Sequence, residues 1–411
     1  MSAPSPLSPA RIRLALLALA LGGFGIGSTE FVAMGLLPQI ARDLLPEDWA
    51  ASPDDAIARA GVMIAAYALG VVVGAPTIAA LAARVPRRRM LLALVIAFTV
   101  GTVGSCVAPT FELVVAFRFL AALPHGAYFG IAALVAASLM GPGKRGQGVA
   151  LVLSGLTVAN VVGVPLITFL GQQAGWRAAY LVVATIFALA VVAIALTVPW
   201  QPGDPDATPR RELGAFRRPA VWFALLTGSV GFAGFFAVYS YIAPLTTEVA
   251  LLPEPTVPWA LVTVGLGMTV GNLVGGRAAD RSVLGTLFVC FGVFAVSLAG
   301  LALTAHTALG LFAFLFALGG AASALSPAIQ TRLMDVAGDS QTLAAAVNHS
   351  ALNIGNAAGA FFGGAVIAAG WGYTAPAWLG FVLCAPGVLL ALAGAGVTAR
   401  SGRTASVVDA G

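Results

Sequence analysis

The chain has 411 residues, of which 59% are hydrophobic and only 9% charged, whereas soluble domains carry roughly 25% charged residues. That composition excludes an ordinary water-soluble fold, and the polar breaks between apolar runs leave no room for a soluble enzyme domain. The net charge of +5 carries information only through where the basic residues sit.

A bilayer core of about 30 Å needs about 20 apolar residues per helix. Runs of that kind start near Leu14, Ala60, Met90, Leu113, Gly148, Ala178, Ala220, Trp259, Leu284, Ala308, Ala344 and Ala375. The tail before the first run, MSAPSPLSPARIR, is rich in Pro and Ser and reads as mobile. The first run is followed by eleven more and reads as a retained helix of about 24 residues rather than a signal peptide. It carries Glu30 well inside it, in GGFGIGSTEFVAMGLLP. A charge at a helix centre costs about 2.5–3.5 kcal/mol on insertion scales, so it needs a reason. Gly23, Gly27, Glu30 and Met34 recur at helical spacing, which turns the acid toward the protein and away from lipid.

The fourth run brings Arg118 to a similar depth. A nearby arginine favours an ionised carboxylate and apolar burial the neutral form, so Glu30 is expected to bind and release a proton as the arrangement of the pair changes. A static structural ion pair is the alternative. His125 follows Pro124 on the same face as Arg118, as a proton relay or a packing histidine beside a kink, and Tyr128 is a pocket candidate. In the fifth run Asn160 bonds backbone or touches substrate. The seventh, FAGFFAVYSYIAP, offers Tyr239 to a ligand and Tyr241 as an interfacial anchor. In the eleventh, His349, Asn353 and Asn356 share a face.

The halves repeat. LGVVVGAPTIAALAAR (69–84) aligns with LGMTVGNLVGGRAADR (266–281) at an offset of 197, and SGLTVANVVG (154–163) with SALNIGNAAG (350–359) at 196. Six helices repeated once give an all-α integral membrane fold of 12 transmembrane helices in two pseudo-symmetric six-helix bundles, residues 1–198 and 220–411, joined by a linker at 199–219. Such parallel repeats form transporters with a midplane substrate site; a duplicated receptor or scaffold is the alternative. Basic residues concentrate on the side that holds both termini, including VPRRR, and only Arg42, Arg59 and Arg177 lie opposite. Both termini are therefore expected in the cytoplasm of a cell-membrane protein, with the basic stretch a short loop beside a membrane span and not a nucleic-acid patch.

GSTEFVAMGLLPQIARDL, GAPTIAALAARVPRRR, RFLAALPHGAYFG and SGLTVANVVGVPL carry a resemblance to the major facilitator superfamily. Within it the chain resembles the twelve-span drug:proton antiporters of the arabinose-efflux-like and chloramphenicol-resistance branch. The resemblance implies export of drugs such as chloramphenicol-like compounds in exchange for protons, with an acid in span one and an arginine in span four required; sugar or purine-nucleoside export is the alternative. It also implies a gating role for Gly155, Gly163 and Pro165, although Ile167 replaces a further common glycine. The signature after span two departs from the family at Ala79, Ala83 and Pro86, while the second half keeps Gly276, Asp280 and Arg281, so a latch is expected there.

Cys106, Cys290 and Cys384 are scattered without metal spacing and read as small hydrophobes. GPGKRG lacks the first glycine and the Ser/Thr of a Walker A loop, and GGFGIG ends on Ser28 where a dinucleotide fingerprint needs glycine. No HExxH or GxSxG arrangement occurs. The expectation is a monomeric, non-enzymatic transporter without cofactor or metal, whose partners are a small-molecule substrate, protons and the lipid bilayer.

Overall fold

The computed structural model describes residues 8–82, 85–141, 145–203, 216–337 and 341–408. Twelve helices among them are long and apolar enough to cross a bilayer: α1 Pro9–Gly35, α2 Pro53–Ile78, α3 Arg87–Val107, α4 Phe111–Met140, α5 Leu151–Ala174, α6 Trp176–Thr197, α7 Pro219–Tyr239, α8 Glu254–Ala279, α9 Val283–Thr304, α10 Ala308–Leu333, α11 Asn348–Trp371 and α12 Ala375–Thr398. No strand occurs among the described residues. Large apolar side chains such as Leu17, Val100, Leu196, Val296 and Leu309 point outward. Small and polar groups are turned in, as expected where lipid is the solvent.

The second span begins earlier than its apolar run. Ser52 caps it, its Oγ accepting from Asp55 N at 3.3 Å, and Pro53, Asp54 and Asp55 form a first turn suited to a helix N-terminus. Two short helices, Leu37–Leu44 and Pro46–Ala51, join α1 to α2. The fourth span is broken where Pro124 removes a donor: helix Phe111–Ala122 ends and a new one starts at His125.

The repeat read from the sequence is reproduced in space. A Cβ on Gly70 would come within 2.4 Å of Phe119 O, and one on Gly267 within 2.1 Å of Phe316 O. On Gly74 it would lie 2.0 Å from Leu123 O, and on Gly271 2.0 Å from Gly320 O. Partners as well as glycines are thus related by 197 residues. In each half only glycine lets these two helix backbones approach so closely.

The first six spans pack mainly on one another, as do the last six, and the two groups meet along two seams, α2 against α11 and α5 against α8. Four hydrogen bonds cross between them among the described residues. Gln39 Nε2 donates to Glu254 Oε1, Gln172 Nε2 to Glu254 O at 3.0 Å, and Tyr373 OH to Asp54 Oδ1 at 2.6 Å. All three lie at the membrane end remote from the chain termini. The fourth, Asn356 Nδ2 to Glu30 Oε1 at 3.4 Å, lies mid-bundle.

Candidate transport site

Glu30 sits in the last third of α1 and is 2% exposed; Arg118 of α4 is 1% exposed. The two are at one level, because Arg118 Nη1 donates to the carbonyl of Thr29 at 2.6 Å and reaches Thr29 Oγ1 at 3.3 Å. They form no ion pair, however. The ion pairs among the described residues are Arg59 with Asp48 and Glu112, and Arg177 with Asp43, all at the remote end. The counter-ion contact expected for Glu30 is therefore replaced by a bond from Asn356, on the other group of spans.

The guanidinium instead lies over an aromatic floor, 4.3 Å from the Tyr67 ring centroid and 5.8 Å from that of Tyr180. A desolvated cation over a ring face is stabilised by about 2 kcal/mol, which offsets part of the cost of burying it. Arg118 Nε and Nη2 have no partner, so the buried cation holds two donor nitrogens in reserve. Tyr67 OH reaches His125 Nδ1 at 3.3 Å, so one phenol links the arginine to the histidine.

His349 of α11 faces the same region. Its ring stacks on Phe129 with centroids 5.4 Å apart and planes 1° from parallel, and its centroid is 6.1 Å from that of His125. Asn353 bonds back to His349 O at 2.9 Å and Asn160 to Leu156 O at 3.2 Å. The amide oxygens of Asn160, Asn353 and Asn356 are buried without donors. Asn356, both these histidines, Glu30 and Arg118 thus converge at mid-bundle from α1, α4 and α11, with Asn353 on the same face of α11 and Asn160 buried on α5.

Other candidates sit elsewhere or do other things. Tyr128 is buried against α1, its hydroxyl donating to Leu19 O at 2.7 Å, and a Cβ on Gly22 would collide with it. Its polar end is occupied by backbone rather than aimed at a central space. Tyr241 is not an interfacial anchor: it is 1% exposed and donates to Ala360 O at 2.7 Å. Tyr241 falls in the break between the helix that ends at Tyr239 and the short one at Ile242–Pro244. Tyr239 stacks on Phe235 at 5.0 Å and meets Phe31 edge-on at 5.7 Å, next to Glu30.

Gly155 packs on α1, where a Cβ would fall 2.0 Å from Ala20 O, and Gly163 faces the Phe24 ring. Pro165 follows a π-helical turn, Ala159–Gly163, in which Val164 N reaches Ala159 O. The ladder shifts by one residue just before the proline that cannot donate. Of the signature residues, Ala83 lies outside the described residues, as do the side chains of Ala79 and Asp280; Arg281 ends its helix exposed to solvent. Tyr67, Thr29 and Phe129 were not singled out from the sequence. Tyr67 is two turns before Gly74 in an otherwise apolar run, and its lone phenol was the available signal.

The family model of the Major Facilitator Superfamily matches residues 19–251 and 251–406. The chain belongs to that superfamily. It is 39% identical over 382 residues to the "Inner membrane transport protein YdhP" of Escherichia coli (strain K12), covering 92% of this chain and 95% of the relative. It is 33% identical over 382 residues to a "Chloramphenicol resistance protein" of Streptomyces lividans, with 92% and 95% covered. The "Putative transporter AraJ" of Escherichia coli (strain K12) is 34% identical over 374 residues, with 87% and 89% covered. Among solved structures, a D-xylose-proton symporter superposes with a TM-score of 0.71 at 16% identity, covering 93% and 96% of the two chains. A bacterial homologue of the lysosomal transporter Spinster, in an inward-facing conformation, gives 0.67 at 16%, covering 97% and 98%. These structures share the fold. The chain is a multi-pass membrane transporter of this superfamily and not an enzyme.

Proposed function

We propose that this transporter exports small molecules from the cytoplasm in exchange for protons, by alternating access, with Glu30 as the proton carrier. One observation carries the reading. The carboxylate is buried where the two groups of spans meet, and its hydrogen-bond partner, Asn356, belongs to the opposite group. Parting the seam necessarily removes that partner and changes what surrounds the acid. Arg118, with two free donor nitrogens at the same level, is placed to engage Glu30 or the cargo once Asn356 has left. His125, reached through Tyr67, is a further station for the proton, and Tyr239, His349, Asn353, Asn356 and Asn160 line the cargo's path. Gly155, Gly163 and Pro165 gate it by allowing α5 to slide on α1.

In this reading the end that holds the termini faces the cytoplasm, which the concentration of basic residues there supports. The bonds across the remote end then close the outward side of a monomer built as 1–198, linker 199–219 and 220–411. The chloramphenicol-resistance relative favours an amphipathic drug as cargo, and Phe31, Phe235 and Phe236 around Tyr239 suit one. The test is flux into proteoliposomes, with chloramphenicol as the first cargo and an imposed pH gradient. Glu30→Gln should abolish gradient-driven accumulation while leaving the protein folded; undiminished accumulation would overturn the role of Glu30.

A second reading, export of a sugar or nucleoside, is favoured by the three buried amide oxygens without donors, which suit hydroxyl-bearing cargo. Competition by purine nucleosides or arabinose in the same flux assay separates the two.

A further inference from the structure

At the end remote from the termini, beside the bonds that join the two groups of spans, lies a cleft of about 300 Å³. One wall comes from the first group, with Pro38, Gln39, Arg42, Trp49 and Gln172; the other comes from the second, with Thr247, Glu248, Leu252 and Glu254. The charges are sorted by wall, with the cation on the first and both anions on the second.

These opposite charges do not meet. No ion pair joins Arg42 to Glu248 or Glu254, and Arg42 has no hydrogen bond or ion pair among the described residues. Glu248 accepts only from its neighbour Thr247, at 3.0 Å. Gln39 Oε1 and Gln172 Oε1 are buried and lack donors. A buried acceptor left unpaired is costly, so the lining is short of hydrogen-bond donors where both glutamines of the first wall meet Glu254 of the second. Trp49 and Leu252 supply apolar surface. The gap therefore has the complement of a molecule with an ammonium at one end and an anion at the other.

We propose that this cleft binds a small zwitterion, its ammonium toward Glu248 and Glu254, its anion toward Arg42, and any apolar body against Trp49. Because the two walls belong to different groups of spans, the site exists only while this end is closed. By linkage, an occupant bridging the walls favours the closed state and restrains opening. The ligand would act from the remote face, apart from the mid-bundle cargo, and its binding does not depend on whether Glu30 carries protons. The same chemistry is offered by a free amino acid and by the ethanolamine headgroup of a phospholipid.

The test uses the full chain in nanodiscs. In phosphatidylglycerol discs, L-phenylalanine is titrated against the wild type, Arg42→Gln and Glu248→Gln, both exposed positions unconnected to the core. Phenethylamine and 3-phenylpropionate, each with one charge of the probe, serve as controls. Saturable binding that weakens at least tenfold on either substitution and on loss of either probe charge supports the site with a soluble ligand. Phosphatidylethanolamine retained on purification by the wild type, and lost equally from both variants, supports it with the lipid as source. Binding unchanged in both variants, or neither binding nor retention, overturns the proposal.

Discussion

Tyr67 holds two groups with two different parts of its side chain, which makes its contribution separable. The ring carries the Arg118 guanidinium at 4.3 Å, and the hydroxyl contacts His125 at 3.3 Å, all in the buried interior. Tyr67→Phe removes only the hydroxyl contact, expected to cost about 1 kcal/mol. Tyr67→Leu removes the π face as well, adding about 2 kcal/mol for a desolvated cation together with some lost packing. The packing part is removed by repeating the Phe-to-Leu comparison in an Arg118→Leu background, as a double-mutant cycle. The coupling left between ring and guanidinium should be about 2 kcal/mol, or about 30-fold in the unfolding equilibrium. Reversible unfolding by SDS in mixed micelles, followed by helicity, measures it. A coupling below about 0.5 kcal/mol would refute the argument that the ring helps hold the buried cation in place.

The paired glycines give a steric prediction: Gly74→Ala and Gly271→Ala each force a Cβ to 2.0 Å from a carbonyl oxygen and should destabilise by about 1–3 kcal/mol. Gly276→Ala, where a Cβ meets nothing within 4 Å, should stay within about 0.5 kcal/mol in the same unfolding assay. Tyr128→Phe should cost about 1 kcal/mol through the lost bond to Leu19 O and leave cargo affinity unchanged, as ligand-binding titration will show. At the remote end, partial burial works against ionisation of Asp43, yet bonds from the Trp176 indole and Arg177 outweigh it and hold this carboxyl below the ordinary range. Its stabilising effect is therefore present at neutral pH and is lost as the pH falls through the depressed value, below about pH 4. The pair is nearly half exposed, so the effect should be under about 1 kcal/mol. Melting curves of wild type and Asp43→Asn should differ at pH 7 and draw together as the pH falls through the depressed value.

The sequence made the charged and amide side chains of the centre legible because charge in an apolar run is costly and helical spacing says which face it shares. Glu30, Arg118, His125, His349 and Asn356 were all found that way, and they converge. Residues that act through a ring or a carbonyl were not legible: Tyr67 and Phe129 look like ordinary apolar filler, and Thr29 contributes mainly its backbone oxygen. Tyr128 shows the reverse error, since a phenol amid small residues resembles a ligand contact until its acceptor, Leu19 O, is seen 109 residues away in sequence. The twelve spans followed from hydropathy, but the early start of the second depended on a polar cap that an apolar count passes over. The direct Glu30–Arg118 contact could not be judged from depth alone, because depth fixes level and leaves the lateral partner open.

The π turn at Ala159–Gly163 falls inside one copy of the repeat only; the matching stretch around Asn356 and Gly359 is regular α-helix. One surplus residue turns everything beyond it by about 100° around the helix axis. Beyond Gly163, then, positions that descend from a common ancestor no longer look in equivalent directions, and the twofold kinship of the bundle is broken there. Duplication supplied two interchangeable halves. The second half takes its own π turn later, at Ile367–Trp371, so a reconstruction of the opposite conformation made by exchanging the halves' shapes would misplace the part of α5 beyond Gly163.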